Sequence, residues 1–274
     1  MTKLPIGIQL YSVRDEMEKD FEGTIKTLAE YGYTAVEFAG LFDHTAEDVK
    51  RICKEAGVDP ISAHVGPDVL LANLEEEIKK YHDIGCRYIG IPWASVSRDL
   101  PGGTHYPAFL EAIRKIAAEM SKYGMKLVYH NHDFEFTKID GQYKIDILYA
   151  DTTPDELQTE LDTCWVRVGG PDPAEFVLKY SGRAPLVHIK DYVGGPTADM
   201  YKLIDGGVVE SKAETDNNFF EQRPVGYGIQ DVQSIITASE KAGAECIIVE
   251  QDNATPGMTS MECAKKSIEF IKSL

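Results

Sequence analysis

TAVEFAGLFDHTAEDVKRICKEAGVDPISAHV, residues 34–65, carries the fold in one unit. It opens on a short apolar run, TAVEFA at 34–39, and passes through a segment with helical spacing of apolar residues, HTAEDVKRICKEAG at 44–57. It closes on a second short run, ISAHV at 61–65. The glycine that ends the middle segment suits a helix C′ position with positive φ. Strand, helix and strand at this spacing predict two parallel strands joined by a right-handed crossover.

Outward from this unit the pattern repeats. Further strand candidates are IGIQL at 6–10, YIGIPW at 88–93, KLVYH at 126–130, LQTELD at 157–162, PLVHIK at 185–190 and CIIVEQ at 246–251, which makes eight. The intervening segments FEGTIKTLAEYG, NLEEEIKKYHDIG and DVQSIITASEKAG are amphipathic and also end in glycine. Eight such units close into a (β/α)8 TIM barrel, and 274 residues suit one such domain, typically about 250 residues long, spanning 1–274. No GxGxxG follows the first strand, which argues against an open doubly wound sheet. One connection is too long: about 55 residues separate the seventh strand from the eighth. Residues 192–228 are read as a lid over the substrate, with Gly226 and Gly228 as its pivots.

Composition narrows the class. Lys and Arg total 28 against 45 Asp and Glu, a formal net charge of −17, so the long-range field repels nucleic acid and anionic lipid. The N-terminus lacks a signal-peptide pattern, and no window approaches the roughly 18 apolar residues of a membrane span. The five cysteines are odd in number and scattered, which fits a reducing compartment and a cytoplasmic enzyme. No GxSxG elbow, GxxxxGK[ST] loop or CxxC pair occurs. The expected partner is a small sugar, not nucleic acid or membrane, and the exposed outer helices are compatible with a homo-oligomer.

The chemistry gathers at the ends of the last four strands, in LVYHNHDFEF, ELDTCW, LVHIKD and IIVEQD. Each apolar strand finishes in His, Asp or Glu, costly to bury unless paired or bound to a metal. Asp162, His188 and Glu250 on adjacent strands form three corners of a mixed imidazole and carboxylate shell for a divalent cation. His130 and His132, two apart and so on one side of the chain, are candidate acids or bases near neutral pH. Lys190, two residues after His188, is placed to hold Asp162 and Glu250 ionised or to neutralise a substrate oxyanion. Gln9, Tyr11, Glu37, His64 and Trp93, at the ends of the first four strands, are expected to contact substrate hydroxyls or a sugar face, with Arg14 nearby.

The strings GIQLYSVRD, SAHV, HNHDFEF, ELDTCWV, HIKD, VGYG and VEQD, in this order, resemble the xylose isomerase-like barrel superfamily, particularly its sugar isomerase/epimerase and inosose dehydratase members. The resemblance spans essentially the whole chain. It implies a catalytic Mn, Co, Zn or Mg ion held by a Glu, an Asp, a His and a second Glu, of which the last three map to Asp162, His188 and Glu250. The first slot departs from the pattern because the fifth strand ends in His130. Either His130 ligates through a ring nitrogen, or Glu135 reaches back and preserves the charge of the shell; Glu135 is the preferred candidate. The implied reaction is sugar isomerisation or epimerisation by proton abstraction beside a carbonyl through an enediolate, with Glu250 as one base. A His base would instead suit a dehydratase or a lyase of 3-keto-glycosides, and a non-catalytic sugar-binding barrel is the third reading. Abasic-site endonucleases of the superfamily must hold a phosphate backbone, which the acidic balance disfavours.

Overall fold

The computed structural model describes residues 2–95, 97–195 and 219–274. The expected strands all form: β1 (Ile6–Gln9), β2 (Ala35–Phe38), β3 (Asp59–His64), β4 (Tyr88–Ile91), β5 (Lys126–His130), β6 (Gln158–Asp162), β7 (Leu186–Ile189) and β8 (Cys246–Val249). They pair in parallel and close into a barrel, since Gly7 of β1 lies opposite both Ala35 of β2 and Ile248 of β8.

The outer helices start and stop where their end residues satisfy free backbone groups. Asp20, Thr45, Asp172 and Asp231 each accept a hydrogen bond from the N–H three residues on, and Thr259 with Glu262 makes a reciprocal capping box. The four glycines read from the sequence as helix stops, Gly32, Gly57, Gly85 and Gly243, are all left-handed.

Side chains along each strand alternate between the barrel interior and the helix layer. Outside the strands, a continuous apolar core packs the helices down. Inside, Ala35, Ile61, Tyr88, Val128, Leu186, Cys246 and Ile248 form a separate apolar cluster that fills the N-terminal end. Two residues further along the same strands, the interior phase carries Glu37, His130, His188 and Glu250 instead, joined by Glu160. The barrel therefore changes from an apolar plug to an ionisable ring within one pleat.

After β7 the chain makes a ribbon in which Asp191–Gly194 pairs antiparallel with Phe220–Arg223. The lid expected over 192–228 falls largely on residues 196–218, which lie outside the described residues. At its expected pivots, Asp191 accepts hydrogen bonds from the backbone N–H groups of Gly226, Gly228 and Gln230 at 2.9–3.1 Å, which ties VGYG to the end of β7. Glycine is required at 228 because a Cβ there would lie 2.1 Å from Asp191 Oδ1. No helix among the described residues is long and apolar enough to cross a membrane.

Candidate active site

Two groups of potential metal ligands stand one above the other in the barrel, each with its ligand atoms within 4.8 Å of one another. The upper, at the mouth, is His130, Asp162, His188 and Glu250, from the ends of β5, β6, β7 and β8. The lower is Glu37, His64, Glu160 and again His188. His188, fully buried, belongs to both because its two ring nitrogens face opposite ways. Nδ1 lies 3.0 Å from Glu250 Oε2, and Nε2 lies 2.8 Å from Glu37 Oε1.

In the mouth group Asp162 is divided between two tasks. Its Oδ1 accepts hydrogen bonds from the N–H groups of Cys164 and Trp165, capping the helix Thr163–Val168. Its Oδ2, fully buried, has no hydrogen bond and faces the group. Asn131 fixes the level of Asp162 by accepting from its N–H and donating to its carbonyl. His130 is buried with neither ring nitrogen hydrogen-bonded, while its Nε2 stands 3.3 Å from Glu250 Oε2 and 3.5 Å from Asp162 Oδ2. Two imidazoles and two carboxylates with open atoms fit a borderline divalent cation such as Zn, Mn or Co better than an all-oxygen ion such as Ca.

Lys190 shares this space. Its ammonium lies 3.1 Å from Asp162 Oδ2, 2.9 Å from Glu250 Oε2 and 3.1 Å from Asp252 Oδ2, and the side chain is 1% exposed. Burial opposes its charge, but the three carboxylates outweigh that and hold its pKa well above the ordinary lysine value. Burial likewise opposes the ionised forms of Asp162 and Glu250, and Lys190 is the largest influence that overcomes it. Burial also works against a charged His130, yet Asp162 and Glu250 raise that imidazole to about 9.

His132 differs. Its ring is stacked on Phe134 with centroids 5.1 Å apart, meets Trp93 edge-on at 5.1 Å, and lies 5.2 Å from the His130 ring. Burial, with positive His130 and Lys190 adding to it, pushes its pKa well below the ordinary value, so the imidazole is neutral at pH 7. Trp93, 43% exposed, stands beside this imidazole at the mouth.

The placement of Glu135 corrects the sequence expectation for the fourth corner. Tyr129 alternates with His130 and faces the helix layer, and Glu135 follows it there. Glu135 Oε1 accepts from the Tyr129 hydroxyl at 2.6 Å and Oε2 from the His132 backbone N–H at 2.9 Å. Both oxygens are engaged away from the mouth, and His130 holds the fourth place. Glu135 instead fixes the turn that presents His132.

Other expected substrate contacts are also placed elsewhere. Glu37 is fully buried, and its Oε1 accepts from Gln9 Nε2 at 2.8 Å. Gln9 is fully buried too, its Oε1 accepting from the Tyr11 N–H. His64 points down, its Nε2 2.6 Å from Glu160 Oε2 and 3.2 Å from Glu37 Oε1. Tyr11 lies under the Arg14 guanidinium, 4.0 Å from its ring centre, and Arg14 donates to the carbonyls of Tyr11 and Asp252. Glu160, Asp252 and Asn131 are the site residues that sequence reasoning missed. Glu160 stands two before Asp162 and Asp252 two after Glu250, so the period-two phase that selects Asp162 and Glu250 carried the signal.

The sequence pattern of the family described as xylose isomerase-like TIM barrel matches residues 25–274. An inosose dehydratase from Geobacillus kaustophilus (strain HTA426) is 27% identical over 196 residues, a match covering 61% of this chain and 60% of that protein. The match thus spans about three-fifths of the curated relative's length. Among solved structures, a sugar phosphate isomerase/epimerase from Parabacteroides distasonis ATCC 8503 superposes with a TM-score of 0.77 at 20% identity, covering 100% of this chain and 95% of that one. An L-ribulose 3-epimerase gives 0.67 at 17%, covering 98% and 93%. At these identities the two structures establish the barrel alone.

Proposed function

The chain belongs to the xylose isomerase-like TIM barrels, and from that premise we propose that it is a divalent-cation-dependent enzyme of small keto-sugar or keto-polyol chemistry. It removes a proton from the carbon beside the carbonyl and expels an oxygen substituent from the next carbon, as dehydratases and glycoside lyases do. The observation that carries this reading is the mouth group, in which His130, Asp162, His188 and Glu250 converge beside the neutral imidazole of His132.

Those four residues would hold a divalent cation, which when bound would supply Lewis acidity for the negative charge that develops on proton removal. Lys190 keeps Asp162 and Glu250 ionised. His132, held by Glu135 and Phe134, takes the α-proton and returns it to the departing oxygen, so one group serves as base and then acid. Trp93 stacks against an apolar sugar face within reach of that imidazole. The five cysteines are free and buried, in keeping with a cytoplasmic setting.

Isomerisation shares the first step and is the second reading. Epimerisation by two carboxylates on opposite faces is disfavoured by His130 at the end of β5, and the sequence-similar relative is a dehydratase. The order of the two sequence readings is thereby reversed. Keto-sugars, inososes and 3-keto-glycosides are incubated in deuterated water with cation-loaded protein. Loss of water or of an aglycone supports elimination, and deuterium gained without mass loss supports isomerisation. His132→Ala lowers turnover about 10²–10⁴-fold with cation content unchanged; unaltered turnover removes His132 from the mechanism.

A further inference from the structure

We propose that the Lys190 ammonium is a movable counter-charge, which holds the mouth carboxylates while no divalent ion is bound and withdraws onto Asp252 when one binds. Asp252 and Gln222 are then positioning residues, acting on the cation through Lys190. The inference rests on the cation reading above.

The partners of Lys190 fall into two sets. Asp162 Oδ2 and Glu250 Oε2, 3.1 and 2.9 Å from its Nζ, are also the oxygens that face His130 Nε2, at 3.5 and 3.3 Å. They are therefore the atoms that a cation at the mouth would take. Asp252 Oδ2, 3.1 Å from Nζ, belongs to neither group of potential ligands. The deep group, Glu37, His64, Glu160 and His188, has no such arrangement: among the described residues no ammonium pairs with its carboxylates.

Charge then decides what the ammonium does. Like charges a few ångströms apart repel strongly where water is excluded, so an ammonium and a divalent ion do not share the same two oxygens. Expelling Lys190 from every carboxylate would leave a buried charge unpaired, which is costly. Asp252 offers the way between. Without a divalent ion, three carboxylates face a single ammonium; with the ion on Asp162 and Glu250 and the ammonium on Asp252, their positive and negative charges come level. A lysine suits this exchange, since its compact charge rides on a flexible four-carbon stem, whereas the rigid fork of an arginine would be held in one geometry.

The berth is built in advance. Asp252 and Gln222 are both buried. Gln222 Nε2 donates to Asp252 Oδ2 at 2.5 Å, its Oε1 accepts from the Asn253 N–H at 3.2 Å, and its carbonyl accepts from the Thr255 hydroxyl at 3.0 Å. Arg14 donates to the Asp252 carbonyl at 2.6 Å. The neutral amide of Gln222 fixes the carboxylate without cancelling its charge. Gln222 stands on the ribbon opposite Tyr192, so the base of the long insertion after β7 is tied to the mouth through Asp252.

The test titrates chelator-stripped protein with Mn²⁺ by calorimetry, for wild type, Lys190→Met, Asp252→Asn and the double variant. Wild type is expected to bind one ion per chain. Lys190→Met, with no ammonium to displace, is expected to bind about tenfold more tightly, the low end of measured couplings between close charges. Asp252→Asn removes the berth and is expected to bind about tenfold more weakly, and most of that loss disappears in the double variant. Gln222→Leu, which keeps both charges, weakens binding by a smaller factor. A near-ultraviolet circular dichroism spectrum matching wild type shows that each variant is folded. Equal or weaker binding by Lys190→Met overturns the proposal. So does an Asp252→Asn loss that persists in full in the double variant, because Asp252 would then act on the ion without Lys190. Should Lys190→Met not fold in chelator, the other variants decide, and affinities equal to wild type in both Asp252→Asn and Gln222→Leu overturn the exchange. A crystal structure of Zn²⁺-loaded wild type is expected to show Nζ on Asp252 and moved off the other two carboxylates; Nζ still against Asp162 Oδ2 and Glu250 Oε2 overturns it as well. Wild type that binds neither Mn²⁺ nor Zn²⁺ sinks the cation reading and the exchange together, whereas one bound ion with unimproved affinity in Lys190→Met sinks the exchange alone.

Discussion

The mouth and the deep group are built from the same residue types and share one imidazole, yet they are put together differently. At the mouth, both nitrogens of His130 and Oδ2 of Asp162 lack hydrogen bonds, and an ammonium stands among the carboxylates. One pleat lower, Glu37 and Glu160 lie against His64 and His188, Glu37 Oε2, Glu160 Oε1 and His188 Nε2 also lack hydrogen bonds, and among the described residues no ammonium pairs with them. A cluster of histidines and carboxylates becomes a site through the capacity its internal pairings leave for a third party. Both groups retain some of that capacity and differ in charge balance: Lys190 offsets the carboxylates at the mouth, whereas His64 and His188 stand against Glu37 and Glu160 in the deep group.

The largest break in this comparison is Lys190→Met. The methionine fills much of the volume but leaves Asp162, Glu250 and Asp252 without their shared cation. Removing one partner of a buried ionic cluster costs about 3–5 kcal/mol, and a loss of that size is expected in urea unfolding with chelator present. Saturating Mn²⁺ should restore part of it, because a divalent ion at the mouth supplies the missing positive charge. A variant as stable as wild type in chelator would show that Lys190 does not hold the mouth together. A variant stabilised no more by Mn²⁺ than by Na⁺ would remove the cation from the mouth.

How far the sequence could be read follows the same division. The barrel was legible because strand, helix and glycine stop repeat with regular spacing, and propensity, period and capping agree at each step. Asp162, His188 and Glu250 were legible because each ends an apolar strand. Glu37, Gln9 and His64 were seen, but their pairing with one another and with Glu160 was not. Strand position gives the side of the sheet to which a residue points, not whether a neighbour from across the barrel has already claimed its polar atoms. Glu160 lies twenty-eight residues from His188 and ninety-six from His64, and no local pattern joins them. Glu135 was misplaced because the turn Phe134–Phe136 swings its carboxylate to Tyr129, on the outer face of β5.

Glu135 offers a sharper test because it stands outside both groups yet holds the turn that carries His132. Burial raises its carboxyl from the ordinary 4.5 to about 7, against the two hydrogen bonds that favour the ionised form. A raised folded-state value means that its contribution to stability is fully present below about pH 4.5 and is lost as pH climbs through 7. One proton corresponds to at most about 1.4 kcal/mol per pH unit, so the loss is on the order of 3 kcal/mol across the window. Glu135→Gln, neutral throughout, should flatten this slope in urea unfolding of the apo protein between pH 5 and 8. Parallel profiles for the two proteins would show that Glu135 titrates as an ordinary carboxylate.

The smallest effect expected is the most discriminating, and it comes from Gly90→Ala. The added methyl carbon enters between His64 and Glu160, at 2.7 Å from Glu160 Oε2, and its nearest atoms all belong to those two side chains of the deep group. Overpacking a buried site costs about 1–3 kcal/mol, and here the low end is expected because the nearest atoms are side-chain ends that can shift. If the deep group only fills space, the variant loses that stability and binds Mn²⁺ as tightly as wild type. If Glu160 helps to hold His188, displacing it moves Nδ1, and cation affinity falls severalfold although no ligand has changed. Cation affinity equal to wild type, together with the stability loss, would confine the deep group to packing and leave the mouth to set its own geometry.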